Sequence, residues 1–220
     1  MTRGSGGIHG PLFADGSFAY LPIPDGFGLA PRTYGNLVGR HGRKLSDYFP
    51  PAPQRQLGAQ PVHLDPEFAT CTYGDPTPPK AGLRRRDRGD LLIVSAGLAG
   101  WDHPAAPALY SIGDIEVRAA GLAREFGAAN FHVRHPALFA AQRDRLVLIK
   151  GTPQSRLSDK AVPLSAMGQD RRGKPLNVLS PQMREVFGGF GGRVGIQRSP
   201  PRWVDPAFVP RAAAFVKALA

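Results

Sequence analysis

Short apolar runs of strand length, each bounded by Gly, Asp or Arg, dominate the hydrophobic pattern of this chain. Three of them lie at 91–94, 109–117 and 146–149. Runs of this length between turn-forming residues are typical of buried strands. The middle run contains Gly113-Asp114, a dipeptide that indicates a bend within the strand. The pattern therefore predicts an α+β fold in which the three strands belong to one curved mixed β-sheet or barrel with peripheral helices.

The segments around this sheet are rich in turn-forming residues, because the chain contains 27 Gly and 23 Pro. A hairpin turn is predicted at Asp15-Gly16, followed by a half-buried strand in SFAYLPI. Residues 151–180 are predicted as a mostly polar loop. Helical patterns occur around KLSDYF, within 119–143, at SPQMREVF and at PAFVPRAAAFVKALA. Without an internal repeat or a clear linker, we predict a single domain over 1–220, with C-terminal helices from 181–220 packed on it.

Net charge is the strongest feature of the composition. The chain has 28 Lys and Arg against 17 Asp and Glu, a formal charge of +11, which favours a polyanionic partner such as DNA or a nucleotide. The alternative is that a coding bias has filled the surface with Arg. A single cysteine, Cys71, excludes an internal disulfide framework and a cysteine zinc site, which fits a cytoplasmic protein. The apolar runs are too short to span a bilayer, so no membrane partner is expected.

The stretch VHLDPEFATCTYGDP concentrates side chains that can carry chemistry. His63, Asp65, Glu67 and Asp75 can act as general acids and bases. A His with two carboxylates can also hold a hard divalent ion, which leaves the metal and the cofactor undecided. Residues two apart share one face of a strand, but Pro66 interrupts that geometry. The alternative is a structural turn, in which Asp65 and Asp75 cap the backbone and His63 bonds to it.

A second group of candidates is basic. KGTPQSRLSDK supplies Lys150, Ser155, Arg156 and Lys160, and LRRRDR supplies Arg84, Arg85 and Arg86. Guanidinium groups and Lys charges suit phosphate, so these residues are predicted to bind a nucleotide phosphate or the DNA backbone. The spacing of a Walker loop is absent, which argues against a P-loop NTPase. The alternative is a solvated basic surface.

Five more residues are candidates for a base pocket or for catalysis. Asp15, Ser17, Tyr73 and Asn130 are predicted to contact a base, and His132 joins the catalytic candidates. Asn presents a donor and an acceptor together, His titrates near neutrality, and an aromatic ring can stack on an extruded base. Each also has a structural alternative, because Asp-Gly-Ser is a common turn and a lone His or aromatic residue is more often part of the core.

Several of these motifs, taken in order, resemble the third type of nucleotide-modification-associated domain. They are SGGIHGPLFADGSFAYLPIPD, TYGNL, HLDPEF, TYGDP, GDLLIVSAGL, LYSIGDIEV, NFHV and KGTPQSRLSDKAVPLS, over roughly residues 4–165. The resemblance implies a phage or bacterial protein of DNA base hypermodification, acting beside other base-modification enzymes. It also implies an apolar strand before SGG, where this chain has Met1-Thr2-Arg3. The GDLLIVSAGL and LYSIGDIEV pair is also similar to PUA, ASCH and EVE domains, small curved barrels that hold RNA or flipped bases.

Two functional classes remain. The first is an enzyme, or a subunit of one, that modifies a base in DNA or in its nucleotide precursor. The second is a non-catalytic reader that binds DNA or the modified base. If the first is correct, the HLDPEF segment and the KGTPQSRLSDK loop are expected to face one cleft, because a reacting base and its phosphate lie close together.

Overall fold

The computed structural model describes residues 8–125, 127, 129–192, 195–196 and 200–219. The strands are Gly10–Leu12 (β1), Ile23–Pro24 (β2), Val62–His63 (β3), Thr72–Asp75 (β4), Leu91–Gly100 (β5), Ala108–Leu122 (β6), Val147–Gly151 (β7), Arg156–Pro163 (β8), Ser165–Gln169 (β9) and Pro175–Leu179 (β10). The α-helices are Pro51–Leu57 (α1), Phe131–Arg134 (α2), Pro136–Gln142 (α3), Pro181–Phe187 (α4) and Val209–Ala218 (α5). Short 3₁₀ helices span Arg40–Gly42, Leu45–Tyr48, Phe68–Thr70, Pro78–Arg85, Ala123–Glu125 and Pro206–Phe208. Residues 1–3, where the resemblance implies an apolar strand, lie outside the described residues, and so does the SGG segment at 5–7.

A curled, mixed half-barrel sheet forms the centre of this α+β fold. Its order is β1-β5-β6-β7-β4, and β8 also pairs with β6. β1 runs parallel to β5, and the other pairs are antiparallel. The first half of β6 lies between β5 and β8, whereas its second half pairs with β7. The predicted strands at 91–94, 109–117 and 146–149 are therefore confirmed, and they lie in one sheet.

A bulge confirms the bend predicted in β6. Val94 lies opposite Gly113 while Ser95 lies opposite Ser111, so Ile112 is the extra residue on β6. Ile112 is fully buried, which ties the bulge to the core. A bulge increases the local twist of a strand, and here it lies within the part of β6 that pairs with β8, before the part from Val117 that pairs with β7.

The core beneath the sheet positions the elements that carry the candidate site. Its buried members are Leu12, Phe18, Tyr73, Leu83, Val94, Leu98, Tyr110, Ile112, Ile115, Val117, Val147 and Ile149. Burying such a side chain contributes about 1.5–3 kcal/mol each. Tyr73 anchors β4 in this core, and Leu83 anchors the 3₁₀ helix Pro78–Arg85, hereafter the lysine helix because it carries Lys80.

The two predicted C-terminal helices are confirmed as α4 and α5. Ser180 caps α4 by accepting a hydrogen bond from the Met183 N–H at 3.3 Å, and Pro181 occupies the first helical position. Both helices pack in a second cluster with residues of β6 and β10. Its buried members are Leu109, Leu164, Leu179, Met183, Phe187, Ile196 and Ala212. None of the helices among the described residues is long and apolar enough to cross a membrane.

The prediction of a polar loop at 151–180 is wrong, because this segment contains β8, β9 and β10. The cause is exposure. Most β8 side chains contact solvent, with Ser158 its buried residue, and β9 pairs with β10. Strands of this kind lack the apolar run by which a buried strand is recognised.

The prediction of a helix from 119 onward is also wrong over 119–122, where β6 continues and pairs with β7. The Ala-rich sequence favours a helix locally, but pairing with the buried strand β7 outweighs that propensity. The helices of this region are α2 and α3, which begin later. The strand predicted in SFAYLPI is limited to a bridge between Phe18 and Leu12 and to the start of β2, although the hairpin turn before it is confirmed.

Candidate functional site

The HLDPEF segment lies along the free edge of β4. Glu67 and Thr72 exchange backbone hydrogen bonds of 2.8 and 3.1 Å. Two residues further, the Gly74 N–H donates to Asp65 Oδ1 at 3.2 Å. Between these contacts lies Pro66, whose peptide bond to Asp65 is cis. The backbone of β4 therefore holds the Asp65 carboxyl group beside the end of the strand.

Asp75, at the end of β4, connects this edge to the lysine helix. Its carboxylate accepts hydrogen bonds from the Tyr73 hydroxyl at 3.0 Å and from the Thr77 N–H at 2.7 Å, and also from the Thr77 hydroxyl. Thr77 directly precedes the lysine helix, which brings the Lys80 ammonium to 5.7 Å from the centre of the Tyr73 ring. We call Asp65, Tyr73, Asp75 and Lys80 the acid–base crevice.

Burial displaces the ionisation of the crevice residues in opposite directions. It raises the pKa of Asp65 well above its ordinary value, and the nearby negative charge of Asp75 adds to this effect. It lowers the pKa of Lys80, although the carboxylates of Asp75 and Asp65 oppose that shift. It also raises the pKa of the Tyr73 hydroxyl well above its ordinary value. The crevice thus favours a neutral Asp65 and a neutral Lys80 more than water does.

The crevice keeps contact with solvent. Asp65, Asp75 and Lys80 each remain partly exposed, whereas Tyr73 is buried. Tyr20 lies on the buried side of the crevice, where its hydroxyl is 3.5 Å from the Pro66 carbonyl oxygen. Burial raises the pKa of the Tyr20 hydroxyl well above its usual value. Crowded titratable groups that still reach solvent are the arrangement expected of an acid–base site.

Glu67 and Asn130 bind the start of α2 beside β4. The Glu67 carboxylate accepts a hydrogen bond from the Phe131 N–H and pairs with Arg134 at 3.0 Å. Asn130 accepts from the His132 N–H at 3.1 Å. Its amide nitrogen also donates to the Thr72 hydroxyl at 3.1 Å. Both side chains therefore have partners that join α2 to β4, which is a structural role close to the crevice.

Two histidines lie at this junction. His132 Nδ1 is 2.9 Å from Gln142 Oε1. His63 stacks on Phe131 with ring centres 4.2 Å apart, and both of its ring nitrogens are buried without a hydrogen-bond partner. Burial and, to a smaller extent, the neighbouring His132 lower the pKa of His63 to about 4. Burial also lowers the pKa of His132. Both rings are therefore neutral at physiological pH.

Acidification is expected to destabilise the protein through His63. Its pKa of about 4 in the folded protein lies below the value of 6.5 in the unfolded chain. The unfolded state therefore binds more protons as the pH falls below 6.5, and the loss of stability is complete near pH 4. Replacing His63 by Phe keeps the stack on Phe131 and removes the titration. Between pH 7 and 4.5, we expect the free energy of unfolding to fall by about 2 kcal/mol less in H63F than in the wild type.

Denaturant titrations at both pH values measure this difference. V38A, which changes an exposed side chain that does not titrate, is the control and should follow the wild-type pH dependence. Identical pH dependence in H63F and the wild type would show that the His63 ring accepts a proton in the folded protein as easily as in water.

The residues of KGTPQSRLSDK are distributed over several elements. Lys150 lies opposite Thr72 on β7, next to the junction with α2. Ser155 is buried and accepts from the Glu116 N–H at 3.2 Å. Arg156 lies 3.5 Å from the Asp114 carboxylate and 3.4 Å from the Val216 carbonyl oxygen, which links α5 to the sheet. Lys160 is exposed on β8.

The remaining sequence candidates lie on turns and at the far end of the lysine helix. Asp15 accepts from the Ser17 N–H at 2.8 Å and forms the predicted turn, which packs against β8 through the Gly16 carbonyl. Arg84 lines a groove of about 240 Å³ together with Thr77 and Arg145. Arg85 is exposed, and Arg86 lies over Trp203.

Of the predicted site residues, the structure brings together Asp65, Asp75 and Tyr73, with His63, Glu67, Asn130 and His132 adjoining them across β4. The sequence did not identify Lys80 or Tyr20. Lys80 lies five residues after Asp75, and the two prolines before it are a helix-start signal. Nothing in the local pattern of Tyr20 distinguishes it from a core residue.

The metal hypothesis finds no support in the geometry. Among the residues that the structure describes, no group of three or more His, Cys, Asp or Glu side chains is arranged to hold a metal ion. Asp65 and Glu67 instead bind different backbone donors, at Gly74 and at Phe131.

Fold and site together define an α+β protein whose curled sheet carries an acid–base crevice at one edge. Over residues 2–214, the chain matches the family model of nucleotide modification associated domain 3. The protein belongs to this family, so the resemblance deduced from its motifs is confirmed and extends to α5. No curated protein and no solved structure matches the chain, and the likeness to PUA, ASCH and EVE domains stays a prediction.

Proposed function

We propose that the protein is an enzyme that modifies the base of a nucleotide or of DNA, and that the acid–base crevice is its active site. Membership of a family associated with nucleotide modification supports the substrate class. The observation that carries the proposal is the convergence of Asp65, Asp75 and Lys80 on Tyr73 and Gly74 at the end of β4. Burial there displaces the ionisation of Asp65 and Lys80 in opposite directions, which supports the same conclusion. Pairs of titratable groups with displaced pKa values are typical of acid–base catalysis.

Each member of the crevice has a distinct role in this proposal. A carboxyl group that stays protonated, as burial favours for Asp65, can donate a proton to a ring nitrogen or carbonyl oxygen of a base. An amine with a lowered pKa, as in Lys80, can accept a proton or attack an electrophilic carbon. Asp75 is a positioning residue, because hydrogen bonds from Tyr73 and Thr77 occupy its carboxylate.

The alternative of a non-catalytic reader is less well supported. A reader needs contacts to the base and phosphates, but it has no use for a carboxyl group and an amine whose charges are both disfavoured by burial. Burying ionisable groups costs stability, and groups with displaced ionisation are typical of sites that perform chemistry. The crevice therefore favours chemistry over recognition alone.

Mass spectrometry of nucleosides tests this function. DNA, RNA and the free nucleotide pool are compared between hosts that carry the intact gene and hosts from which it is deleted. We expect one modified nucleoside, or its nucleotide precursor, to disappear on deletion and to return when the gene is restored. Identical nucleoside profiles in all three fractions would contradict the proposal.

A further inference from the structure

The far end of the lysine helix carries three exposed arginines and, in contact with a fourth, a half-exposed aromatic ring. Arg84, Arg85 and Arg88 are exposed. The guanidinium carbon of Arg86 lies 4.4 Å from the centre of the Trp203 ring, and Trp203 is still 45% exposed. We call these five residues the Arg–Trp surface.

Local structure explains only part of this surface. Arg86 covers one side of the Trp203 ring and pairs with Asp90 at 3.4 Å, yet its Nε is buried without a hydrogen-bond partner. Gly82 leaves room for the ring edge, since a Cβ there would lie 3.3 Å from Trp203. A large aromatic side chain that remains half exposed beside an arginine has the composition of a stacking platform for nucleic acid bases.

We infer that the Arg–Trp surface binds a single-stranded polynucleotide. Exposed arginines neutralise its phosphates, and the open face of Trp203 stacks on one unpaired base. Four arginines outnumber the two acids within the same run, Asp87 and Asp90. A polyanion is therefore favoured over a protein or a neutral ligand.

The lysine helix connects this surface to the acid–base crevice. At about 2 Å of rise per residue, Lys80 and Arg86 are separated by roughly 12 Å along a 3₁₀ axis. Stacked nucleotides of a duplex are spaced by roughly 3.4 Å, the closest spacing along a strand, so this span exceeds one nucleotide and holds at most about four. One strand can therefore bind the surface while a base further along it reaches the crevice, which a mononucleotide cannot do. This deepens the proposed function by naming a polynucleotide strand as the substrate class.

Tryptophan fluorescence tests the inference, because the chain has two tryptophans, Trp101 and Trp203. W101F leaves Trp203 as the reporter, and W203F leaves Trp101 as the matched control. Addition of a twelve-residue oligothymidylate is expected to quench W101F and to leave W203F unchanged. Thymidine monophosphate at the same concentration is expected to quench neither.

The salt dependence identifies the phosphate contacts. With three arginines contacting phosphate, affinity should fall about 20-fold between 50 and 200 mM salt. In R84Q/R85Q, the log–log slope should decrease in magnitude by about 1.4. If W101F folds poorly, anisotropy of a labelled oligothymidylate with intact protein and with W203A gives the same comparison. W203A should bind at least about five-fold more weakly.

Three results would overturn the inference: equal affinity for thymidine monophosphate, tighter binding of duplex than of single strand, or binding that is unchanged in both W203A and R84Q/R85Q. Failure of the proposed function remains distinguishable. Salt-dependent quenching of W101F by the oligonucleotide, together with a normal level of modification in Asp65→Asn, would refute the crevice and leave the Arg–Trp surface standing.

Discussion

Replacing Asp65 by Asn is expected to reduce base modification at least 100-fold while leaving the fold intact. The amide has the shape of the carboxyl group, and its oxygen can still accept the hydrogen bond that Gly74 donates to Asp65 Oδ1. It cannot deliver the carboxyl proton. Proton transfer by a positioned side chain contributes roughly 10²–10⁴-fold to rate.

The measurement is the amount of modified nucleoside formed by hosts that express D65N in place of the wild type. Asp159→Asn is the matched control, because the Asp159 side chain is 96% exposed and pairs with Arg40 at the surface. Exposed pairs of this kind contribute little to stability. D159N should modify the base at the wild-type level, and a normal level in D65N would refute its role as the proton donor.

Replacing Gly113 by Ala is expected to destabilise the protein by about 3 kcal/mol. A Cβ at this position would lie 2.3 Å from the carbonyl oxygen of Arg156 and 3.0 Å from the ring of Phe68. The first contact is with the backbone of β8, which can move only if its pairing with β6 is disrupted. The second would displace the Phe68 ring, which follows the HLDPEF carboxylates and packs against the central core.

Denaturant unfolding of G113A and of Gly26→Ala measures this effect. Gly26 is the matched control, since nothing lies within 4 Å of a Cβ built there. The control should stay within about 0.5 kcal/mol of the wild type. Equal stability of G113A and G26A would contradict the close pairing of β6 with β8 at Gly113, which lies opposite Leu157.

The central strands were predictable because each is an apolar run with buried side chains, as in Leu146–Ile149 and around Ile112. The exposed strands β8–β10 were not, because strands that face solvent carry polar residues and leave no apolar run. The continuation of β6 through 119–122 was missed for another reason. Its small residues favour a helix, and pairing with β7 becomes visible only in three dimensions.

For the site, local spacing identified Asp65, Tyr73 and Asp75, because one short stretch supplies all three. Lys80 was missed since its relation to Asp75 depends on the direction of the lysine helix, which the packing of Leu83 determines. Trp203 was missed because more than a hundred residues separate it in sequence from Arg86. Residues brought together from distant parts of the chain leave no local pattern.

A carbon-13 NMR titration of the Asp65 carboxyl group tests the acid–base crevice most directly. We expect Asp65 to titrate above the ordinary range of aspartic acid, because burial and the charge of Asp75 raise its pKa. Replacing Lys80 by Met should raise the pKa of Asp65 further, since the Lys80 cation stabilises the carboxylate. An Asp65 that titrates in the ordinary range of aspartic acid, and does not respond to K80M, would contradict the existence of a coupled acid–base pair in this crevice.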